Sequence, residues 1–455
     1  MKVSMKIFRI TPKVRMTPFG GLLCGAVFVF VLVLGNFSAR CQTWQPVGTG
    51  FDYAVFSLAS DPLNNRLYAG GQFDTADGAP CNRIAQWNGI VWDTIGTGLS
   101  NGYVSALALY NNQLYAGGSF TNAGNRSRKF FSRWNGVSWD SIGFTTGNCN
   151  VQNLTVYNGE LYIGGGFPTA GGITVNNIAR FNGTQWDSLT SGTNNVIHAM
   201  TVYNSELYVG GQFDTAGGIT AKNIAKWNGT GWSAVGGGIN GSVYALEAHN
   251  GKLYAGGTFT QAGGNPASNI AVWDGNNWSA VGSGTNSSVN VLLSFSGNLY
   301  AGGWFTTAGG NPANRVAAWN GSNWYPVAGG MNNGVRVLGV YNGELYAGGF
   351  FTQADTTTAN YIAKWEGAVG INEFTVSDLQ FTVYPNPSSG KIQVISNRYP
   401  VIGMEIYNVF GEKIYSSIIN NRSSIISLDV PSGIYFLRIK NDCSAGSIQK
   451  LIIAR

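Results

Sequence analysis

Short apolar runs separated by turn-forming residues recur along most of the chain and predict antiparallel β-strands. In one representative unit, the apolar runs are 243–246, 253–255, 270–273 and 278–281. Asn250-Gly251 and Asp274-Gly275 separate neighbouring runs, and such dipeptides are strong hairpin signals. The pair Gly256-Gly257 leaves room for close approach of another backbone. Four antiparallel strands in a unit of this length predict one blade of a β-propeller.

The unit repeats at a nearly constant spacing. The segment LYAGG or a close variant recurs every 46 or 47 residues, beginning at Leu67, Leu114, Leu161, Leu207, Leu253, Leu299 and Leu345. A fixed period of this size indicates stacked or radial units. A β-solenoid and a row of small sandwiches are the rival architectures, but solenoid coils are usually shorter and sandwiches repeat less regularly.

The two ends of the repeat array complement each other. The last unit stops at Trp365-Glu366-Gly367 without a fourth strand. Residues 44–48, WQPVG, match the fourth strand of the unit above, WSAVG at 278–282. An N-terminal strand that completes the last blade would remove an exposed sheet edge. We therefore predict an all-β chain with a seven-bladed propeller closed by its N-terminal strand, followed by a small C-terminal β-sandwich.

The predicted boundaries are a signal peptide at 1–41, the propeller at 42–367, a linker at 368–379 and a C-terminal domain at 380–455. The leader has a basic start and an apolar run from Gly20 to Leu34, which is short for a membrane span. Cleavage after Cys41 is expected; a lipoprotein site at Cys41 and an uncleaved anchor are the alternatives. We expect no transmembrane span in the mature chain.

The overall charge does not indicate a nucleic-acid partner. The formal net charge is +6, and all of the surplus can be assigned to the basic residues of the leader. The rest of the chain is near neutral, which argues against the concentrated basic face that phosphate backbones require. Beyond the leader, Cys81, Cys149 and Cys443 have no metal-like spacing, and we expect free or incidental thiols.

The repeat resembles a known family of propellers. The double glycine followed by spaced aromatics, as in Trp227-Asn228-Gly229 and Trp232, resembles kelch and galactose-oxidase-type propellers. The wider pattern AGGxFT…NIAxWNGxxWxxVGxG is closer still to the kelch-like repeats of fungal cortical polarity markers. The resemblance covers roughly 44–367 and implies a fold, whereas propellers host many functions.

The C-terminal segment has short strand-like runs and a second resemblance. Its distinctive residues are Tyr384, Pro385, Asn386 and Pro387, the turn 408–411, Gly433 and Tyr435, and the terminal segment from Lys450 to Arg455. In these residues and their order the segment resembles the C-terminal sorting domain of type IX secretion cargo. This resemblance implies export by the type IX machinery, removal of the domain by a sortase, and a location outside a Gram-negative cell or on its outer-membrane surface. An ordinary accessory sandwich is the alternative.

Few residues indicate catalysis. The chain has two histidines, His198 and His249, and His249 precedes a hairpin turn, so we expect it to be solvated. We find no nucleophile motif, phosphate loop, Asp-box turn or metal-ligand spacing, and we expect no cofactor and no metal. Acidic pairs assembled from distant blades leave a carbohydrate-active enzyme as an alternative.

Positions where the repeats differ are the candidates for ligand binding. After the leading Val or Ile of each first strand the residue varies: Phe56, Ser105, Gln152, His198, Tyr244, Asn290 and Arg336. A second variable column follows the double glycine: Gln72, Ser119, Gly166, Gln212, Thr258, Trp304 and Phe350. Innermost strands surround a propeller axis, so the first column could ring one end of a channel. Trp304 and Phe350 could stack on a sugar ring or a partner surface.

Each column also has a plainer interpretation. The first could pack between blades or point into water, and the second could pack under the following loop. The repeated tryptophans are expected in the core: Trp92, Trp139, Trp186, Trp232, Trp278 and Trp324. The predicted function is a secreted or cell-surface module that binds a glycan or protein. A structural or adhesive surface protein and a carbohydrate-active enzyme with a cryptic site are the alternatives.

Overall fold

The computed structural model describes residues 43–124, 126–143, 149–366, 381–386, 388–396, 403–408, 413–417, 423–441 and 444–454. Within these ranges every regular element is a β-strand, which confirms the all-β prediction. The predicted signal peptide and linker lie outside the described residues.

The repeat region forms four-stranded antiparallel sheets, numbered here 1 to 7 in chain order. Their first strands are Val55–Asp61, Val104–Tyr110, Asn150–Tyr157, Ile197–Tyr203, Ser242–His249, Val289–Phe295 and Val335–Tyr341. Their second strands are Arg66–Gly71, Gln113–Gly118, Glu160–Gly166, Glu206–Gly211, Lys252–Thr258, Asn298–Gly303 and Glu344–Gly349. Their third strands are Ile84–Trp87, Phe131–Trp134, Ile178–Phe181, Ile224–Trp227, Ile270–Trp273, Val316–Trp319 and Ile362–Glu366. The fourth strands of sheets 1 to 6 are Trp92–Thr94, Trp139–Asp140, Trp186–Ser188, Trp232–Ala234, Trp278–Ala280 and Trp324–Pro326.

The fourth strand of sheet 7 comes from the other end of the repeat region. Thr43–Pro46 pairs with Ile362–Glu366, and Trp44 lies opposite Trp365. The Trp44 side chain is 0% exposed, and its indole centroid lies 5.2 Å from that of Trp365. Its backbone N–H also donates to the Asp355 carboxylate at 2.8 Å. The N-terminal strand is therefore fully integrated into the last sheet.

One hydrogen bond repeats between neighbouring sheets. The indole Nε1 of each fourth-strand tryptophan donates to a backbone carbonyl just after the fourth strand of the preceding sheet, over 2.8 to 3.3 Å. The pairs are Trp44 with Val327, Trp92 with Val47, Trp139 with Ile95, Trp186 with Ile142, Trp232 with Leu189, Trp278 with Val235 and Trp324 with Val281. A buried indole N–H needs such an acceptor. We call these seven residues the tryptophan ring.

The first strands contact one another in the same order, and the first strand of sheet 7 contacts that of sheet 1. Hydrophobic side chains fill the space between neighbouring sheets, and most repeated tryptophans are buried there, as predicted; Trp186 and Trp232 are half-buried. Gly257 allows the first and second strands of sheet 5 to approach, because an added Cβ would collide with the Ser242 carbonyl oxygen. The second glycine of the repeat is therefore required because a neighbouring backbone lies too close for a side chain.

The loops between second and third strands contain short β-ribbons that the sequence pattern did not predict. Each ribbon pairs two dipeptides: 75–76 with 79–80, 122–123 with 126–127, 169–170 with 173–174, 215–216 with 219–220, 261–262 with 265–266, 307–308 with 311–312, and 353–354 with 357–358. Leu99–Ser100 adds a third strand to the second ribbon. In sheet 5, the Asn240 side chain accepts hydrogen bonds from the N–H groups of Thr260 and Gln261 and so fixes the start of the loop.

The C-terminal segment forms two sheets. The three-stranded sheet has the order Phe381–Tyr384, Lys391–Ser396 and Ser423–Ser427. The four-stranded sheet has the order Lys413–Ser417, Gly403–Asn408, Gly433–Asn441 and Ser444–Ile453. Buried side chains from both sheets, among them Ile392, Met404 and Leu437, form one hydrophobic cluster.

Candidate functional site

The first variable column owes its position to a β-bulge. In every one of sheets 1 to 7, the pairing of first and second strands shifts by one residue, and the skipped residue is the variable one. A bulge leaves its extra residue out of the ladder and redirects its side chain. We call the seven residues the bulge ring: Phe56, Ser105, Gln152, His198, Tyr244, Asn290 and Arg336. The backbone thus repeats while the side chain is free to differ.

All members of the bulge ring line one cavity of about 220 Å³. Most of the other lining residues are aliphatic, with Leu58, Leu154 and Leu292 among them. The cavity opens into a wider mouth of about 560 Å³, which Trp304 and Phe350 also line. The structure therefore brings together all nine residues predicted as ligand contacts.

Only some residues of the second variable column line the mouth. Gln72 and Thr258 join Trp304 and Phe350 at the mouth. Ser119, Gly166 and Gln212 are not among the residues lining it. The Gln212 side chain instead donates a hydrogen bond to Ser242 Oγ at 2.8 Å, and Ser119 Oγ accepts one from the Tyr103 N–H at 3.2 Å. Gln212 is exposed and its partner Ser242 lies on the first strand of the next sheet, so this side chain does not pack under the following loop.

Four aromatic rings form a continuous arc along one side of the mouth. The ring centroid of Phe350 lies 5.6 Å from Trp304 and 5.5 Å from Phe56. Tyr103 continues the arc, 5.6 Å from Phe56 with its ring perpendicular. Centroid separations of this size are typical of favourable aromatic pairs. We call this set the aromatic arc.

Trp304 presents the most open surface of the arc. Its side chain is 39% exposed. The indole lies directly over Gly334, where an added Cβ would be 2.7 Å from Trp304 Cε2. The Arg315 guanidinium donates to the Trp304 carbonyl oxygen and fixes the backbone. A flat, supported and exposed indole is suited to stack on a ligand ring.

Two residues of the mouth, Tyr103 and Ser288, were not predicted from the sequence. Both lie directly before the leading Val of a first strand. That position also varies among the repeats, so a third variable column was a signal that could have revealed them. Tyr103 is held in place because its hydroxyl accepts a hydrogen bond from Asn150 Nδ2 at 2.8 Å.

Polar groups occupy the rest of the bulge ring. Ser105 Oγ donates to the Val151 carbonyl at 2.5 Å, and Asn290 Nδ2 makes a long contact of 3.4 Å with the Val335 carbonyl. The His198 ring lies edge-on to Tyr244 with centroids 5.2 Å apart, and its Nε2 is buried without a hydrogen-bond partner. The wall therefore keeps unused hydrogen-bonding capacity.

Arg336 dominates the electrostatics of the cavity. Burial lowers the pKa of Arg336 from its ordinary value, while the nearby hydroxyls of Tyr103 and Tyr244 act in the opposite direction. An arginine stays protonated at neutral pH in spite of such a shift. Burial, and secondarily the Arg336 charge, lowers the pKa of His198 to about 4. At neutral pH the site thus contains one cation and a neutral imidazole.

The prediction that His249 is solvated is wrong. His249 is 3% exposed, its Nδ1 lies 2.8 Å from Ser294 Oγ, and burial lowers its pKa. Its position ends a first strand, where most sheets carry a tyrosine that bonds to the next sheet, as Tyr203 does with the Gly251 carbonyl. Comparison with those tyrosines would have predicted the burial.

The described residues contain no group of three or more His, Cys, Asp or Glu side chains that could hold a metal ion. Cys81 and Cys149 are buried, and Cys443 lies outside the described ranges. No helix in the described part of the chain has the length and apolar character needed to span a membrane.

The residues predicted for sorting come from both ends of the C-terminal segment. Asn386 Oδ1 accepts a hydrogen bond from the Ile452 N–H at 2.9 Å, so the two ends meet. Tyr435 is buried and its hydroxyl donates to the Pro431 carbonyl at 2.9 Å. Pro385 is exposed, Gly433 begins a strand, and Tyr384 and Lys450 lie within strands. Pro387 and Arg455 lie outside the described residues.

Sheets of this kind with a central cavity define a β-propeller. Residues 32–161 and 173–345 match the family model of the Rax2 C-terminal beta propeller domain, which covers more than half of the chain. The chain belongs to this family. Residues 382–454 match the model of the secretion system C-terminal sorting domain. This tail implies secretion by the type IX system and export to the surface or outside of a bacterium.

One solved structure with a similar fold is PorZ, described as an essential bacterial surface component of the type IX secretion system of Porphyromonas gingivalis. Its TM-score is 0.46 and its sequence identity 14%, over 90% of this chain. The chain spans 60% of the length of that structure. No curated protein matches the sequence.

Proposed function

We propose that the protein is a secreted or cell-surface binding module whose ligand, a glycan or a protein, occupies the mouth of the propeller. Its architecture in this proposal is a seven-bladed, kelch-like propeller at 42–367, closed by the N-terminal strand, with a C-terminal sandwich at 380–455. The pairing of Thr43–Pro46 in sheet 7 and the tryptophan ring support closure. The single hydrophobic cluster between the two C-terminal sheets supports the sandwich.

One observation carries the proposal: the side chains that differ between repeats converge on one opening. Equivalent positions of repeated sheets form a ring as a property of the scaffold, but the scaffold does not require the residues of the bulge ring to differ from one another. Exposed aromatic side chains at a concave mouth are typical of sites that recognise ligands. The variable residues therefore form the candidate contact surface.

The cavity lining favours binding over hydrolysis. Glycosidases generally use a pair of Asp or Glu residues that flank the scissile bond. Among the described residues that line the cavity and mouth, none is acidic. A cryptic enzymatic site would have to lie elsewhere, and no observation in the described residues favours one.

Export supplies the setting for this function. The chain would carry a signal peptide at 1–41 and pass through the type IX machinery, with a sortase removing the domain after the linker at 368–379. Attachment to the cell surface or release would both leave the propeller mouth in contact with extracellular glycans and proteins.

The test is a glycan and surface-protein array probed with the purified chain and with Trp304→Ala. We expect binding that the substitution weakens at least about tenfold, because a stacked aromatic contributes on the order of 1–3 kcal/mol to a ligand ring. Tyr325→Ala is the matched control, since Tyr325 is similarly exposed but lies on a fourth strand away from the mouth.

Two outcomes would contradict the proposal. Binding that survives in Trp304→Ala and is lost in Tyr325→Ala would place the contact surface elsewhere. A complete lack of binding to any array component, in a folded and protease-resistant protein, would favour a structural or adhesive surface protein.

A further inference from the structure

Arg336 is the only charged side chain among the described residues that line the cavity and its mouth. In the described part of the chain its guanidinium has no hydrogen-bond or ion-pair partner, although it lies near the hydroxyls of Tyr103 and Tyr244. Arg336 is half-buried beside the cavity, and partial burial of a cation without a partner does not add stability. Structural reasons therefore do not account for this side chain.

The backbone does not demand an arginine either. The other six sheets make the same bulge with neutral residues, which include the small polar Ser105 and the large aromatic Phe56. A lysine would supply the charge but not the same geometry, because only the planar guanidinium of arginine binds a carboxylate through two parallel hydrogen bonds. The Arg336 guanidinium at the mouth is therefore available to pair with an anionic group of a ligand.

The surroundings of Arg336 define what that group is attached to. Sheet 7 supplies Arg336 and Phe350, and neighbouring sheet 6 supplies Trp304 and Asn290. An exposed indole, an amide and a cation therefore lie on adjacent sheets around one mouth. A pyranose ring stacks on an indole through its C–H face, and its hydroxyls bond to amide groups that both donate and accept.

We propose that the mouth binds a glycan containing an acidic sugar of the uronic acid type, with the sugar ring on Trp304 and its carboxylate paired with Arg336. This inference rests on the proposed function and narrows its ligand class. A peptide C-terminus also has a carboxylate, but such termini are usually captured by clusters of backbone N–H groups. The lining of this mouth offers side-chain amides and hydroxyls beside an aromatic platform, which suits a sugar.

The test measures binding of the full exported chain by calorimetry. The probes are oligogalacturonate, its methyl ester, hyaluronan and alginate oligosaccharides, a neutral β-glucan oligosaccharide, and a peptide with a free C-terminus. The variants are Arg336→Gln, Arg336→Lys and the control Arg66→Gln. Arg66 begins the second strand of sheet 1, at the end opposite the bulge. Arg66→Gln therefore removes the same charge as Arg336→Gln at a position far from the bulge.

We expect at least one uronate probe to bind, and the ester to bind at least about tenfold more weakly when the oligogalacturonate is the one recognised. Arg336→Gln should reduce uronate binding to the level of the neutral probe, Arg336→Lys should restore part of it, and Arg66→Gln should leave it unchanged. Because Arg336 has no protein partner, Arg336→Gln should unfold at the same temperature as the parent or a higher one.

Several results would overturn the inference. Binding of the neutral glycan alone, or equal binding of acid and ester, would do so while the proposed binding function stands. Binding of the peptide alone would replace the sugar with a polypeptide ligand. If no probe binds, the inference fails, and the array test of the parent chain decides separately whether the proposed function stands. A fall in Tm of more than about 5 °C in Arg336→Gln would assign Arg336 a structural role instead.

Discussion

The tryptophan ring and the bulge ring each take one residue from every one of sheets 1 to 7, yet they differ in what is repeated. One ring repeats the same residue and the same hydrogen bond around the molecule. The other repeats only a backbone irregularity and places a different side chain at each site. Identity between repeats therefore marks positions that the scaffold requires, whereas difference marks positions that the scaffold leaves free.

Removing one member of the tryptophan ring should have the largest effect. Trp44→Ala deletes a fully buried indole and its hydrogen bond, in the strand that completes sheet 7. We expect a loss of about 3–5 kcal/mol in the free energy of unfolding, measured by denaturant titration. Ile90→Ala is the control, because Ile90 is 79% exposed and should change stability by less than about 0.5 kcal/mol. A Trp44→Ala protein as stable as the control would break the distinction between the rings.

A repeated glycine should behave like the repeated tryptophans. Gly257→Ala forces a methyl group against the Ser242 carbonyl oxygen, and we expect a loss of about 3 kcal/mol because the strands must separate. Gly231→Ala is the matched control, since nothing lies within 4 Å of its added Cβ. Thermal unfolding of both variants compares them directly. Equal melting temperatures would show that the close approach of the two strands at the bulge does not determine the stability of the sheet.

These two classes of residue show what the sequence could predict. The period, the four strands per unit and the core tryptophans followed from the repeats, because each repeat must bury the same face. The bulge was not predictable from the first strand alone, since it depends on pairing with the glycines of the second strand. His249 was misjudged because its neighbour Asn250 suggested a solvated turn, whereas the adjacent sheet supplies Ser294 as a partner.

The first strand of sheet 5 carries an acid, Glu247, that belongs to neither ring. Glu247 accepts a hydrogen bond from the Ser294 N–H at 2.9 Å, and burial raises its pKa to about 7. The folded state therefore holds a proton that the unfolded state releases above about pH 4.5. This contribution to stability is fully present below that pH and is lost as pH rises through 7.

Glu247→Gln should remove this dependence while keeping the acceptor. We expect the difference in unfolding free energy, parent minus variant, to fall by about 3 kcal/mol between pH 4.5 and pH 8. The lowered pKa of His198 makes stability rise with pH between about 4 and 6.5, but His198 is present in both proteins and cancels. A pH-independent difference would contradict the burial of a neutral Glu247.

The bulge ring itself should tolerate exchange. Gln152→Ser substitutes the residue type that Ser105 provides at the same bulge, and we expect a change below about 0.5 kcal/mol in unfolding free energy. Chemical denaturation would measure it beside Trp44→Ala. A loss comparable with the tryptophan variant would mean that the varied positions are also scaffold.

The most direct measurement combines stability and binding in one variant, Trp304→Thr. Thr258 occupies the corresponding position in sheet 5, so the scaffold accepts this residue. We predict a melting temperature within about 2 °C of the parent and a loss of ligand affinity of at least about tenfold. Unchanged affinity with a lowered melting temperature would contradict the claim that the residues that differ between repeats, and not those that repeat, carry the function.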